Sequence, residues 1–134
     1  MSRWFNCASE KVARRILREG FGTGRISAEY ADYYSRFLSE MLNGRDLDRV
    51  NDAYDRSDTA GARELAATWN RRFSAGTLIW LTKQPDSQYG QVCFEVTLPR
   101  GARKIGGDRD MGWVFYAPAP IGPKHFQVVE VEDD

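Results

Sequence analysis

The sequence is poor in the residues that build metal sites and disulfide frameworks. It has one histidine, His125, and two cysteines, Cys7 and Cys93. They give none of the ligand spacings that protein metal sites use, so we expect no metal. We interpret both cysteines as small buried residues of strands rather than as a disulfide, a metal site or a nucleophile. A nucleophile elbow is also missing, which argues against acyl transfer.

Net charge and long apolar runs are also missing. Nineteen basic and nineteen acidic residues give a formal net charge of zero, which argues against broad electrostatic capture of nucleic acid or of an anionic membrane. No apolar run approaches the ~20 residues that span a bilayer. Residues 1–4 lack a secretory hydrophobic core. We therefore expect a cytoplasmic protein without a membrane partner.

Aromatic residues, in contrast, are abundant at 13% of the chain. A chain of 134 residues is long enough to bury roughly two thirds of the surface that its unfolded form exposes. We expect a single domain, residues 1–134, with most aromatic side chains in its core and a few available for stacking in a cleft.

The first 21 residues predict a strand that feeds a helix. Residues 4–8 form a short apolar run, and the residues after Ser9 have helical spacing. Ser9 can cap the helix by accepting a backbone N–H, and Gly20 can take the left-handed conformation that ends it. The apolar face of this helix consists of Val12, Ala13, Ile16 and Leu17.

Residues 27–73 predict three helices. The first begins behind Ser27, has an aromatic face and ends at Asn43 and Gly44. The second is short and includes Leu47, Val50 and Tyr54, and the third runs through Leu65 to Phe73. Their apolar faces either pack into the core or make the block a lid or a partner-docking surface.

The second half of the chain predicts strands at 77–82, 91–98, 113–116 and 126–131. Residues 83–90 and 100–111 are predicted as polar loops, and residues 132–134 as a solvated tail. A basic loop, with Arg100, Arg103, Lys104 and Arg109, could contact the phosphates of NAD or of nucleic acid, or could simply be solvated surface.

Three segments together resemble the ADP-ribosyltransferase family. Its first strand commonly reads as an aromatic, then His-Gly-Thr or His-Gly-Ser, then a helix closing with Ile-Leu-x-x-Gly-Phe, which is similar to residues 16–21. Asn6, Cys7 and Ala8 stand at the His-Gly-Thr positions. Residues 78–82, followed by Pro85, resemble the second segment, with Trp80 where the family often has Tyr.

Residues 89–99 are similar to the strand that follows that segment, and residues 113–121 resemble the third. There a catalytic Glu begins a strand that leads to a Pro-Ile-x-Pro turn, and Trp113 or Val114 stands near its position. The resemblance implies an α+β fold with a split, mostly antiparallel sheet and a helical insertion at about 26–74.

The resemblance implies that NAD is a substrate and that Asn6, Cys7 and Trp80 are its binding positions. The family Glu stabilises the cationic ribose that develops when nicotinamide leaves. Because this Glu is replaced, the catalytic residues are not assigned. Glu95, Asp108 and Asp110 are the nearby acids that could substitute for it.

Two functions follow from the resemblance. In the first, the chain is an NAD-dependent mono-ADP-ribosyltransferase, a glycosyltransferase-type enzyme that modifies a macromolecular target. In the second, it is a catalytically degenerate member whose helical block binds a protein partner as an inhibitor or adaptor.

Overall fold

The structure, a computed structural model, describes residues 3–130. The chain divides into two compact units, Met1–Gly22 with Gly76–Asp134, and Thr23–Ala75. We call them the sheet unit and the helical unit. Together they make a mixed α+β protein with two small antiparallel sheets. Val131, in the last predicted strand, and the predicted tail 132–134 lie outside the described residues.

Among its described residues, the sheet unit holds six strands and one α-helix. The helix is α1 (Glu10–Glu19), and short 3₁₀ turns cover Ser87–Tyr89 and Pro123–His125. One sheet has the order β1-β3-β6 and the other β2-β5-β4, with every pairing antiparallel. The strands are β1 (Trp4–Ala8), β2 (Thr77–Leu81), β3 (Val92–Val96), β4 (Arg103–Asp108), β5 (Gly112–Ala117) and β6 (Phe126–Val129).

Both predicted boundaries of α1 are confirmed. The Ser9 side chain accepts a hydrogen bond from the backbone N–H of Val12 at 3.3 Å. Gly20 ends the helix at φ 79° and donates its N–H to the carbonyl of Ile16. A side chain at Gly20 would also collide with the backbone carbonyl oxygen of Ile121, 2.6 Å from an added Cβ. Glycine is therefore required both by the backbone angle and by the close approach of a neighbouring segment.

One apolar core holds the two sheets and α1 together. Ile16 of α1, Ile79 of β2 and Phe94 of β3 are all buried in it. Phe94 packs edge to face on Phe126, with ring centroids 5.4 Å apart. A fully buried side chain of this size contributes about 1.5–3 kcal/mol to stability. The sheets also meet at a backbone bridge, because Phe5 and Thr82 exchange two hydrogen bonds of 2.8 Å.

The predicted loop 100–111 is wrong in its central part, which is β4. This strand pairs with β5 and has a register shift between Lys104 and Gly106. Asp108 closes the hairpin by accepting hydrogen bonds from the N–H groups of Asp110 and Met111. The polar sequence concealed the strand because β4 is the outer strand of its sheet and has no buried residue. It therefore lacks the alternation of apolar and polar residues that would indicate a strand in the sequence.

The interpretation of the cysteines as unlinked is also wrong, because Cys7 and Cys93 form a disulfide. The two residues lie directly opposite each other on β1 and β3, with Cα atoms 4.0 Å apart. They are 86 residues apart in the chain. Only the pairing of the two strands brings them together, and a residue count cannot reveal that register.

The helical unit has four α-helices where three were predicted. Tyr34, at φ −103° and ψ 17°, leaves helical geometry and divides the first predicted helix in two. The predicted cap at Ser27 is confirmed, since its side chain accepts the N–H of Tyr30 at 3.1 Å. Only Ser57 separates the last two helices, a shorter break than predicted. The helices are α2 (Ala28–Tyr33), α3 (Ser35–Ser39), α4 (Gly44–Arg56) and α5 (Asp58–Phe73).

Charged and apolar contacts join the helices of this unit. Leu38, Val50 and Leu65 are fully buried. Asp46, in the first turn of α4, accepts hydrogen bonds from Arg71 and Arg72 at the end of α5. The hydrogen bond from Arg72 is the main cause that lowers the pKa of the Asp46 carboxyl. Within residues 3–130, no helix is long and apolar enough to cross a membrane.

Candidate functional site

Asn6, the first predicted NAD-binding residue, lies in the middle of β1 and is half-buried. Alternation along the strand puts its side chain on the same face as Trp4 and Ala8, toward the core. Its Nδ2 donates a hydrogen bond of 2.9 Å to the backbone carbonyl of Trp80. This contact uses one of the two amide hydrogens and leaves the Oδ1 acceptor for another group.

Trp80, the predicted stacking residue, is half-buried on β2. Its neighbours Ile79 and Leu81 point into the core, so its indole lies on the other face of the sheet. The indole N–H donates to the carbonyl of Met111 at 2.8 Å. A side chain at Gly112 would come within 2.7 Å of this indole nitrogen. Glycine at this position therefore lets the ring lie against the start of β5.

The structure therefore brings Asn6 to the backbone of Trp80 but not to its ring. Their side chains leave the two strands in different directions. Cys7, the third predicted binding residue, is next to Asn6 on β1, and its sulfur is bound to Cys93. Any contact of Cys7 with a ligand would be made without a free thiol.

Of the three acids considered from the sequence, Glu95 is bound to a cation. Both of its carboxylate oxygens accept hydrogen bonds from Arg3, at 2.8 and 2.9 Å. The hydrogen bond from Arg3 lowers the pKa of the Glu95 carboxyl. Glu95 lies opposite Phe5 on the paired strand. The guanidinium carbon of Arg3 also lies over the Phe5 ring, 5.2 Å from its centroid. This carboxylate thus belongs to a surface ion pair on the strand β3.

The other two acids, Asp108 and Asp110, lie in the hairpin between β4 and β5. Asp108 uses one carboxylate oxygen to bind the backbone N–H groups of the turn. The carbonyl of Met111 in the same turn accepts the indole N–H of Trp80. The hairpin therefore brings these acids near the Trp80 strand through a backbone contact, and Asp110 is exposed.

Val114 and Trp113 stand near the position at which the resemblance implies a glutamate. Val114 is buried and pairs directly with Trp80. Trp113 pairs with Leu81, is half-buried, and packs edge to face on Trp4 with ring centroids 5.6 Å apart. Both positions at which the resemblance could place a carboxylate thus carry an apolar side chain.

Two lysines approach the same Trp113 ring. The Nζ of Lys83 lies 5.4 Å and that of Lys104 lies 5.5 Å from the ring centroid. Sequence reasoning missed Lys83, which it assigned only to a polar loop. A signal was present, because Lys83 is two residues after Leu81, and alternation would put both on the face of the sheet that Trp113 shares.

The site is therefore an aromatic and cationic surface on the sheet unit, with Asn6 held to the neighbouring strand and Trp113 between two ammonium groups. Comparison of the chain with protein-family models, with curated proteins and with solved structures finds no match.

Proposed function

We propose that the chain is an ADP-ribosyltransferase-like protein that has lost the transfer chemistry and acts by binding a protein partner, as an inhibitor or adaptor. One observation carries the proposal. Near the position where the family has its catalytic glutamate, the chain has Trp113, with the ammonium groups of Lys83 and Lys104 within 5.5 Å of its ring centroid.

The chemistry of the reaction explains why this observation matters. When the bond between nicotinamide and ribose breaks, positive charge develops on the ribose, and a carboxylate next to it lowers the barrier. Ammonium groups in the same place repel that charge and raise the barrier. An indole flanked by two lysines is therefore suited to an anion rather than to a developing cation.

The arrangement of the elements supports the family part of the proposal. The six strands form two antiparallel sheets of three, α1 follows β1 directly, and the helical unit interrupts the chain between α1 and β2. A split, mostly antiparallel sheet with a helical insertion is the architecture that the resemblance implies.

The helical unit supports the partner-binding part. Tyr33 is 81% exposed, which is the largest exposed fraction of any large hydrophobic side chain between residues 3 and 130. Its ring packs edge to face on Tyr34, with centroids 4.8 Å apart. Tyrosine is enriched in protein interfaces because a rigid ring gives much contact area and its hydroxyl can still bind a partner.

A second candidate function is NAD-dependent mono-ADP-ribosyl transfer. The hydrogen bond of Asn6 to the backbone of Trp80 and that of the Trp80 indole to the 108–112 hairpin favour it, because they connect the strands that carry Asn6 and Trp80 with the hairpin that carries the two acids. Asn6 Oδ1 would accept a ribose hydroxyl, the indole would stack on nicotinamide, and Asp110 would face the ribose. Nicotinamide would leave as the target nucleophile bonds to the ribose carbon.

Nicotinamide release from NAD by the purified chain, with and without a cell lysate, distinguishes the two candidates. We expect no release above a protein-free control. Release that requires lysate and disappears in Asn6→Ala would overturn the proposal in favour of transfer. Circular dichroism of Asn6→Ala checks that the variant is folded.

Partner binding is tested separately with the immobilised chain. We expect the immobilised parent chain to retain a protein that the immobilised Tyr33→Ala variant does not retain. Tyr89→Ala, which removes a tyrosine that is 44% exposed on the sheet unit, should retain it. Equal retention by the parent chain and by Tyr33→Ala would contradict a role for the helical unit.

A further inference from the structure

The surface around Trp113 combines exposed cations with a half-buried aromatic ring. Lys83 follows β2 and Lys104 lies on β4, the two strands that flank β5 in the sheet. The two ammonium groups therefore approach Trp113 from opposite sides of its strand. We call Lys83, Lys104 and Trp113 the lysine–tryptophan site.

The charges of this site have no carboxylate partner. In the part of the chain that the structure describes, neither Lys83 nor Lys104 forms an ion pair, although Arg3, Arg14 and Arg18 of the same unit do. Both ammonium groups instead lie over the Trp113 ring. Two cations gathered on one ring without an anion leave a place where an anionic ligand would be favoured.

We propose that the lysine–tryptophan site binds single-stranded nucleic acid, with the two lysines on phosphates and a base stacked on Trp113. A base offers an aromatic face to the indole, and its neighbouring phosphates are close enough to meet lysines on either side. Lysine side chains are long and flexible, so each ammonium group can leave the ring for a phosphate when a base takes its place.

A further exposed cation, Arg109, lies at the tip of the hairpin that follows β4. Arg103, the residue before Lys104 on β4, pairs with Tyr116, and alternation puts its side chain on the other face of the sheet. The neutral net charge of the whole chain argued against broad electrostatic capture, but it does not exclude a local basic surface with a stacking residue. A duplex keeps its bases paired and stacked, so a single strand fits an indole better.

The proposal is independent of whether transfer is lost, because it requires no NAD chemistry. Its first test is the fluorescence anisotropy of a labelled decathymidylate with the full chain, measured over a series of salt concentrations. We expect binding at low salt that weakens as salt rises. The absence of binding at low salt would overturn the proposal.

Variants assign the binding to the site. Lys83→Ala with Lys104→Ala should raise the Kd about tenfold and make the plot of log K against log salt shallower by about 1.4, which corresponds to two phosphate contacts. The matched control is Lys11→Ala with Arg15→Ala, which removes the same charge from the exposed face of α1. Equal weakening by both pairs would mean that general charge attraction, and not this site, holds the strand.

Ligand controls test the stacking step without changing the protein. An abasic strand of the same length keeps the phosphates and should bind about tenfold more weakly. If the abasic strand or a duplex binds as well as decathymidylate, stacking on Trp113 is excluded.

If hexaglutamate competes as well as unlabelled decathymidylate, the site binds acidic peptides and the proposal fails. Thymidine monophosphate competing at equal concentration would identify a free nucleotide as the ligand instead.

Discussion

At the scale of single residues, Asn70 shows how one side chain replaces missing secondary structure. Its Oδ1 accepts the N–H of Ile26 at 2.7 Å, and its Nδ2 donates to the carbonyl of the same residue at 3.0 Å. Ile26 is buried in a segment that has neither helix nor strand. Its two backbone groups would otherwise lack partners, which is costly in the interior of a protein.

We expect Asn70→Asp to lower the free energy of unfolding by about 1–3 kcal/mol. The aspartate keeps an acceptor for the N–H of Ile26 but sets an oxygen against its carbonyl. Urea denaturation at neutral pH measures the change. Asn51→Asp, which makes the same substitution at an exposed position on α4, should change stability much less, and equal losses in both variants would contradict this account.

Tyr30 makes the stability of the fold depend on pH in the alkaline range. Burial, and secondarily the nearby Tyr34, raises the pKa of its hydroxyl from 10.0 to about 12. The folded chain thus holds this proton more tightly than the unfolded chain. Neutral Tyr30 therefore contributes stability that is complete below pH 10 and is lost as the pH rises toward about 12.

We expect Tyr30→Phe to lose less stability than the parent chain between pH 10 and 12, because the variant has no phenol to ionise there. Thermal unfolding at a series of pH values measures the difference. Tyr89→Phe removes an exposed hydroxyl of the sheet unit and is the matched control. Parallel pH profiles for Tyr30→Phe and the parent chain would show that burial of Tyr30 does not matter.

At the scale of elements, the disulfide between β1 and β3 links two strands covalently across a long stretch of the chain. It closes a loop whose ends are 86 residues apart in sequence. A cross-link of this length removes many conformations from the unfolded chain and so stabilises the fold. It also fixes the strand that carries Asn6 to its neighbour.

Replacing both cysteines, Cys7→Ala with Cys93→Ala, should lower the free energy of unfolding by roughly 4 kcal/mol. Denaturation of the oxidised parent chain and the variant measures the loss. The parent chain kept in dithiothreitol should match the variant, because both lack the cross-link. If reduction leaves the parent chain as stable as its oxidised form, the disulfide contributes nothing.

At the scale of the whole molecule, the helical unit is inserted between two points that lie side by side in the sheet unit. Thr77 Oγ1 donates a hydrogen bond of 3.0 Å to the carbonyl of Phe21. The core of the sheet unit is drawn entirely from residues on either side of the insertion, namely Met1–Gly22 and Gly76–Asp134. A short connection could therefore replace the helices without stretching the chain.

We expect a chain in which a short glycine-rich linker replaces residues 23–75 to fold by itself, with a cooperative thermal transition. Peptide mapping without reduction should still find Cys7 linked to Cys93, because β1 and β3 remain paired. The same deletion with Cys7→Ala and Cys93→Ala shows how much of that stability the disulfide supplies. A non-cooperative transition in the disulfide-bonded chain would mean that the sheet unit needs the helices.

Local rules account for the parts of the fold that the sequence predicted well. The cap at Ser9, the helix end at Gly20 and the apolar run of β2 depend on residues that are neighbours in the chain. The division of the first helix at Tyr34 carries no proline or glycine signal, so it was missed. The exposed strand β4 was missed because only pairing with β5 makes it a strand.

The features of the candidate site likewise separate into those that the sequence predicts and those that only the folded chain shows. The α+β character, the strand and helix that open the chain, and the presence of Asn6 and an apolar residue where the resemblance implies histidine and glutamate can all be predicted from the sequence. Tertiary structure alone decided that Cys7 meets Cys93, that Asn6 binds the backbone rather than the ring of Trp80, and that Lys83 and Lys104 meet at Trp113. The reason is physical: capping and periodicity act within a few residues, whereas strand register joins residues far apart in the chain and appears only when the sheets form.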